Sequence, residues 1–176
     1  MSVARCWVAF RPILLPLVWV GMNLGLAQNA WSMDPPKGPV VLTVSGKVGE
    51  TTKAGVAELD LAALKALPQH TFVTDTPWDK RPVKFSGPRL RDVLALVKAS
   101  GTELKAVAVN DYAVTVPASD AREFDVVVAL LINDRDIPPR TKGPLFLIYP
   151  FGAHPRLNAK IYQDRSIWQL KSLVVQ

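Results

Sequence analysis

Thiol chemistry is all but missing from this sequence. Its one cysteine, Cys6, stands near the start, so the rest of the chain offers neither a disulfide nor a metal thiolate. Histidine is almost as scarce, and the separation of His70 from His154 matches no zinc-ligand spacing. There is no glycine-rich phosphate loop and no Gly-x-Ser-x-Gly elbow, which removes the commonest nucleotide-binding and acyl-transfer machinery. Runs of like charge are missing too. The formal charge is +6, but Lys37, Lys47, Arg81, Arg91, Lys105, Arg140 and Lys171 are scattered and make no track for a phosphate backbone, so nucleic acid is not an expected partner.

Long apolar runs are confined to the beginning. Ile13 to Met22 is apolar but short and broken by Pro16, it follows Arg5 and Arg11, and Gly25-Leu26-Ala27 supplies the small residues a signal peptidase reads. Residues 1–27 are therefore predicted to be a signal peptide, with Ala30 as the alternative cleavage point, and the protein to be periplasmic with no membrane span after cleavage. Losing Arg5 and Arg11 would lower the charge of +6 by two. The rest of the chain suits one domain, able to bury roughly 70% of its unfolded surface.

Residues 28–39 end in Asp34-Pro35-Pro36-Lys37-Gly38-Pro39 and read as an extended N-terminal segment, because the prolines forbid a helix. The domain proper is expected over 40–176. Val40, Leu42 and Val44 alternate with Val41, Thr43 and Ser45 as a first strand ending near Gly46 or Val48, and Gly49 to Gly55 reads as a turn. Asp60 is placed to cap a short helix carrying Leu61, Leu64 and Leu67, stopped by Pro68. Phe72 to Thr74 suits a strand, Thr76-Pro77-Trp78 interrupts it, and Val83 with Phe85 resumes the alternation as far as Gly87. Pro88 is predicted in the first turn of a helix whose stripe is Leu90, Val93, Leu94 and Val97, closed by Gly101.

Leu104–Val109 and the alternating Tyr112, Val114 and Val116 read as a hairpin joined by Asn110-Asp111. After one helical turn at Ser119–Phe124, the run Val126–Ile132 is apolar on both faces and predicts a single central strand. Asn133 to Asp136 turns the chain, Leu145–Tyr149 is a second buried strand, and Trp168, Leu170, Leu173 and Val175 suit a last one. Arg156–Arg165 is open between short helix and irregular structure. Strands outnumber helices without regular alternation, so the class is α+β, strand-rich with short helices.

The spelling of the segment from Thr71 to Val97, with Asn110-Asp111-Tyr112, Gly143-Pro144-Leu145, Tyr149-Pro150 and Ser166-Ile167-Trp168-Gln169-Leu170 in order behind it, resembles the molybdopterin-binding domain of the sulfite oxidase family in its short secreted form. The resemblance implies a single mixed-sheet domain of that type and a pterin ligand. Oxidoreductases of that family bind molybdenum through a cysteine placed after the strand corresponding to Thr71–Thr76, where this sequence reads Thr74-Asp75-Thr76-Pro77-Trp78. A thiolate-free, exported member is similar to the PruR-type branch, which binds reduced pterins in the periplasm and acts by contact on inner-membrane enzymes that make or degrade cyclic di-GMP. The resemblance thus implies a pterin without molybdenum and the periplasmic region of such an enzyme as partner. A molybdopterin-dependent oxidoreductase with a non-cysteine ligand, Thr76 or Asp75, is the second reading, and a ligand-free interaction domain the third.

A pterin's flat face calls for an aromatic partner and its 2-amino-4-oxo edge for a carboxylate that accepts a pair of N–H groups. Trp78, Tyr112, Tyr149 and Trp168 are the candidate rings, and Asp75 and Asp111 the candidate carboxylates. Each has a plain alternative: Tyr149 and Trp168 as packing aromatics beside strands, Asp111 as a turn residue that tolerates positive φ. His154, in the loop Pro150–Pro155, is a candidate donor to a ligand oxygen or a loop-packing residue, and Arg156 and Arg165 are either phosphate partners or solvated cations.

Overall fold

The computed structural model describes residues 32–176, so the expected leader and the first part of the extended segment lie outside the described residues. Residues 32–39 form no helix or strand. In chain order the elements are β1 (Val40–Gly46), β2 (Val56–Asp60), α1 (Leu61–Ala66), β3 (Gln69–Thr74), β4 (Val83–Pro88), α2 (Leu90–Leu96), β5 (Glu103–Ala108) and β6 (Ala113–Pro117). After them come α3 (Asp120–Glu123), β7 (Val127–Ala129), β8 (Leu131–Ile132), β9 (Arg135–Asp136), β10 (Phe146–Ile148), a 3-10 turn at Pro155–Asn158, α4 (Lys160–Arg165), β11 (Ile167–Trp168) and β12 (Leu170–Val175). This is the strand-rich α+β architecture with short helices.

The largest sheet has five strands in the order β2-β1-β12-β5-β6. It is mixed because β12 runs parallel to β1 and antiparallel to β5. The period-two pattern of β1 puts Leu42 and Val44 wholly inside, and β12 buries Leu173 and Val175 in the same alternation, after a register shift that follows the buried Leu170. A four-stranded sheet, β3-β4-β8-β9, and a three-stranded one, β11-β10-β7, complete the domain. Phe85 of β4 and Phe146 of β10, both fully buried, meet edge to face at 5.7 Å and join these two smaller sheets.

Local chemistry explains several boundaries. The Asp60 side chain accepts from the Ala63 N–H at 2.8 Å and so caps α1. Asn133 and Asp134 both hold positive φ, +50° and +63°, and form the two-residue turn between Ile132 and Arg135 that the twist of a β-hairpin favours. Among the described residues no helix is long and apolar enough to cross a membrane.

Four expectations are corrected. The run 126–132 is not one strand: Val127–Ala129 pairs with β10, whereas Leu131 and Ile132 pair with β4, and Leu130 breaks the line by donating its N–H to the Ser86 carbonyl at 2.8 Å. Pro88 ends strand β4 opposite Gln69, and Arg89 takes the capping position of α2. The β5–β6 connection spans Val109–Tyr112, because the Asp111 N–H folds back onto the Ala108 carbonyl at 3.0 Å and only Asp111 turns left-handed, at φ +64°. The last strand is divided at Gln169, whose φ of +51° shifts the chain from the small sheet to the large one.

Candidate functional site

A cavity of about 400 Å³ opens where three segments distant in sequence converge. The β5–β6 hairpin contributes Ala108, Asn110 and Tyr112, and α4 with the residues directly after it contributes Lys160, Gln163, Asp164, Ser166, Ile167 and Trp168. Trp78, from the loop between β3 and β4, completes it. That volume suits a small bicyclic ligand.

Its aromatic part is built on a packed base. The Trp78 ring lies within 6.1 Å of Phe146 and 6.0 Å of Phe151, and it meets Trp168 at 5.7 Å with the ring planes at 90°. Only one of two perpendicular rings can stack face to face with a flat ligand; the other then presents its edge. Trp168 and Tyr112 remain 39% and 50% exposed, so aromatic surface is left open at the cavity. The polar part comes chiefly from α4. Lys160 Nζ is 2.7 Å from the Asp164 carboxylate one turn on, and the Tyr112 hydroxyl donates to the Asp164 backbone carbonyl at 3.4 Å, tying helix to hairpin. Asn110 Oδ1 accepts from the Tyr112 N–H at 3.2 Å, which holds the end of the hairpin.

Of the residues singled out from sequence as ligand contacts, Trp78, Tyr112 and Trp168 are brought together here, whereas Asp75, Asp111, Tyr149, His154, Arg156 and Arg165 are not among those that line the cavity. Tyr149 is fully buried and its hydroxyl donates to Asp120 Oδ2 at 2.7 Å; burial and that carboxylate push its phenol far above the ordinary range, so it is a neutral core donor. Asp111 sits at the hairpin tip with its side chain 83% exposed and bonded to Lys171 at 2.6 Å, and that hydrogen bond and charge hold it below the ordinary carboxylate range. His154 precedes the 3-10 turn, its ring 5.6 Å from Phe124. Asp75 is exposed. Arg156 pairs with Glu123 over the Phe124 ring, and Arg165 pairs with Asp120 at 2.9 Å, so both arginines already have partners.

The lining residues that sequence reasoning passed over are Asn110, Lys160, Gln163, Asp164 and Ser166. The four-residue spacing of Lys160 and Asp164 was the available signal for a helix there.

A model of the oxidoreductase molybdopterin binding domain matches residues 38–154, and the chain belongs to that family. No curated protein matches the sequence. The matched span carries Trp78 and the hairpin but stops short of α4 and Trp168, which make the remaining walls of the cavity.

The family's cofactor joins a pterin to molybdenum, and the two halves fare differently against these residues. The open indole and phenol surfaces, one carboxylate, two carboxamides and a hydroxyl suit the pterin half. The metal half finds no thiol, since no cysteine follows Cys6. After β3, Thr76 Oγ1 accepts from the Trp78 and Asp79 N–H groups and donates to Asp79 Oδ2 at 2.8 Å, while Lys142 holds that carboxylate at 2.9 Å. Burial works to raise the Asp79 pKa, and the bonds from Lys142 and Thr76 outweigh it, leaving the group below its ordinary value. Of the two oxygen ligands considered in place of a thiolate, Thr76 is thus engaged with Asp79 and Asp75 is exposed, and among the described residues no three His, Cys, Asp or Glu side chains are grouped to hold a metal ion.

Proposed function

We propose that this chain is a periplasmic protein that binds a pterin without molybdenum and signals by contact with the periplasmic region of an inner-membrane enzyme of cyclic di-GMP turnover. The observation that carries the binding half is the meeting of Trp78, Tyr112 and Trp168 with the Asp164 carboxylate around one cavity, in a family whose cofactor contains a pterin and at a site without a thiolate. In this reading the ring lies flat on one indole and meets the edge of the other. Asp164 accepts the 2-amino and ring N–H pair, and Gln163, Asn110 and Ser166 serve the oxo group and side chain. The signalling half is supported by the leader-like start of the sequence and by the resemblance to thiolate-free pterin binders.

The test begins with full-length protein, expressed with residues 1–27 in a host that makes molybdopterin and recovered from the periplasm. Mass spectrometry of the released small molecules is expected to find a pterin near one per chain, with molybdenum far below one by elemental analysis. About one molybdenum per chain would overturn this reading in favour of an oxidoreductase. Cellular cyclic di-GMP should differ between strains with and without the protein; equal levels would remove the signalling half.

A further inference from the structure

The wall formed by α4 has an unusual support. This helix has only six residues and buries none of them, and its Ile161 is 52% exposed. A helix so short and so little buried does not hold its place by its own hydrogen bonds. It is attached from behind: Arg165 Nη1 donates to Asp120 Oδ2 at 2.9 Å, and the Tyr162 ring packs at 5.5 Å against both Phe124 and Tyr149. Asp120 is 5% exposed, belongs to α3 and is not among the residues lining the cavity. Its Oδ2 also accepts the Tyr149 hydroxyl at 2.7 Å, from a ring with no exposure at all. The buried Tyr149 hydroxyl fixes that carboxylate, and the carboxylate fixes Arg165, whose side chain is 15% exposed. Removing one partner of such a pair strands the other charge away from water, so the helix would have to shift to resolvate it.

We infer that Asp120 is a positioning residue for the ligand site: through Arg165 it sets α4 so that Gln163 and Asp164 line the cavity. The affinity of the site is then governed from α3, by a residue that need never touch the ligand. The binding arm of this inference rests on the pterin reading; the arm on helix position does not.

Both arms are read on the full chain by comparing wild type with Asp120→Asn, Arg165→Met, Arg165→Lys and the distant core truncation Leu59→Ala. Hydrogen–deuterium exchange of ligand-free protein is expected to quicken at least tenfold across residues 162–166 in Asp120→Asn and Arg165→Met, with β1 and β12 unchanged. Titration with tetrahydrobiopterin under anaerobic conditions is expected to show Kd raised at least tenfold in the same two variants and partly restored in Arg165→Lys. Leu59→Ala should lower the melting temperature while leaving Kd and exchange at 162–166 as in wild type. Wild-type exchange at 162–166 in Asp120→Asn, or equal changes in Leu59→Ala, would overturn the inference. Wild type that takes up no tetrahydropterin would remove the pterin reading instead, and the exchange data would still decide the role of Asp120.

Discussion

Asp164 and Asp111 are both exposed carboxylates beside the β5–β6 hairpin, and each has a lysine partner, Lys160 at 2.7 Å and Lys171 at 2.6 Å. Only Asp164 lines the cavity. Replacing Asp164 by Asn turns one acceptor oxygen into a donor facing the ligand's own donors, and calorimetric titration of a reduced pterin should show affinity falling roughly tenfold, about 1.4 kcal/mol. Asp111→Asn keeps a residue that tolerates the left-handed turn and should leave affinity unchanged. Both indoles join binding to packing. Trp168→Ala is expected to weaken binding by up to about tenfold through lost stacking and to lower the melting temperature as well, because that ring packs against Phe146 at 6.1 Å. Trp78→Ala should lower both affinity and melting temperature, because that ring also packs against Phe146 and Phe151. A Trp78→Ala variant with wild-type thermal stability would show that the packing under the cavity does not depend on it.

At the scale of single elements, Asp60 connects three pieces of chain. Its carboxylate accepts from the N–H groups of Ala63, Gly38 and Lys37 at 2.8, 2.8 and 3.0 Å, so it caps α1 and pins the end of the N-terminal segment at once. The bond from Ala63 and then that from Gly38 hold its pKa below the ordinary aspartate value. A depressed folded-state pKa means that the stabilisation is fully present above the unfolded value, near pH 4, and is lost as pH falls through the lower folded value. Thermal melts between pH 6 and pH 2.5 should therefore show a steeper acid loss in wild type than in Asp60→Asn. At neutral pH, Asp60→Ala should melt several degrees lower, on the order of one lost helix cap or more. Parallel acid profiles for wild type and Asp60→Asn would mean that other carboxylates set the acid limit.

At the scale of the whole molecule, the two smaller sheets are locked together at β4. Gly87 approaches β7 so closely that a Cβ there would stand 2.1 Å from the Val128 carbonyl oxygen and 2.9 Å from the Ala129 Cα. On either side of it the Leu130 N–H reaches the Ser86 carbonyl and the Leu90 N–H reaches the Val126 carbonyl, both at 2.8 Å. Gly87→Ala must push β4 from β7 and should cost about 3 kcal/mol or more, measured as a lowered denaturant midpoint with the transition monitored by tryptophan fluorescence. A midpoint within experimental error of wild type would show that the junction yields without loss. By itself the sequence determined what depends on neighbours along the chain: the alternating strands, the Asp60 cap, the Asn133-Asp134 turn, the α+β class and the want of any thiol after Cys6. The resemblance it carried to the molybdopterin-binding family agrees with the family match over 38–154. Only the tertiary structure decided which aromatics are open to a ligand. Tyr149 and Tyr112 are the same residue type beside strands, yet one lies at the centre of the fold and the other at a hairpin end. It also decided which carboxylate lines the cavity, since Asp164 meets the hairpin from a helix some fifty residues further along the chain, and no local pattern encodes a meeting of that kind.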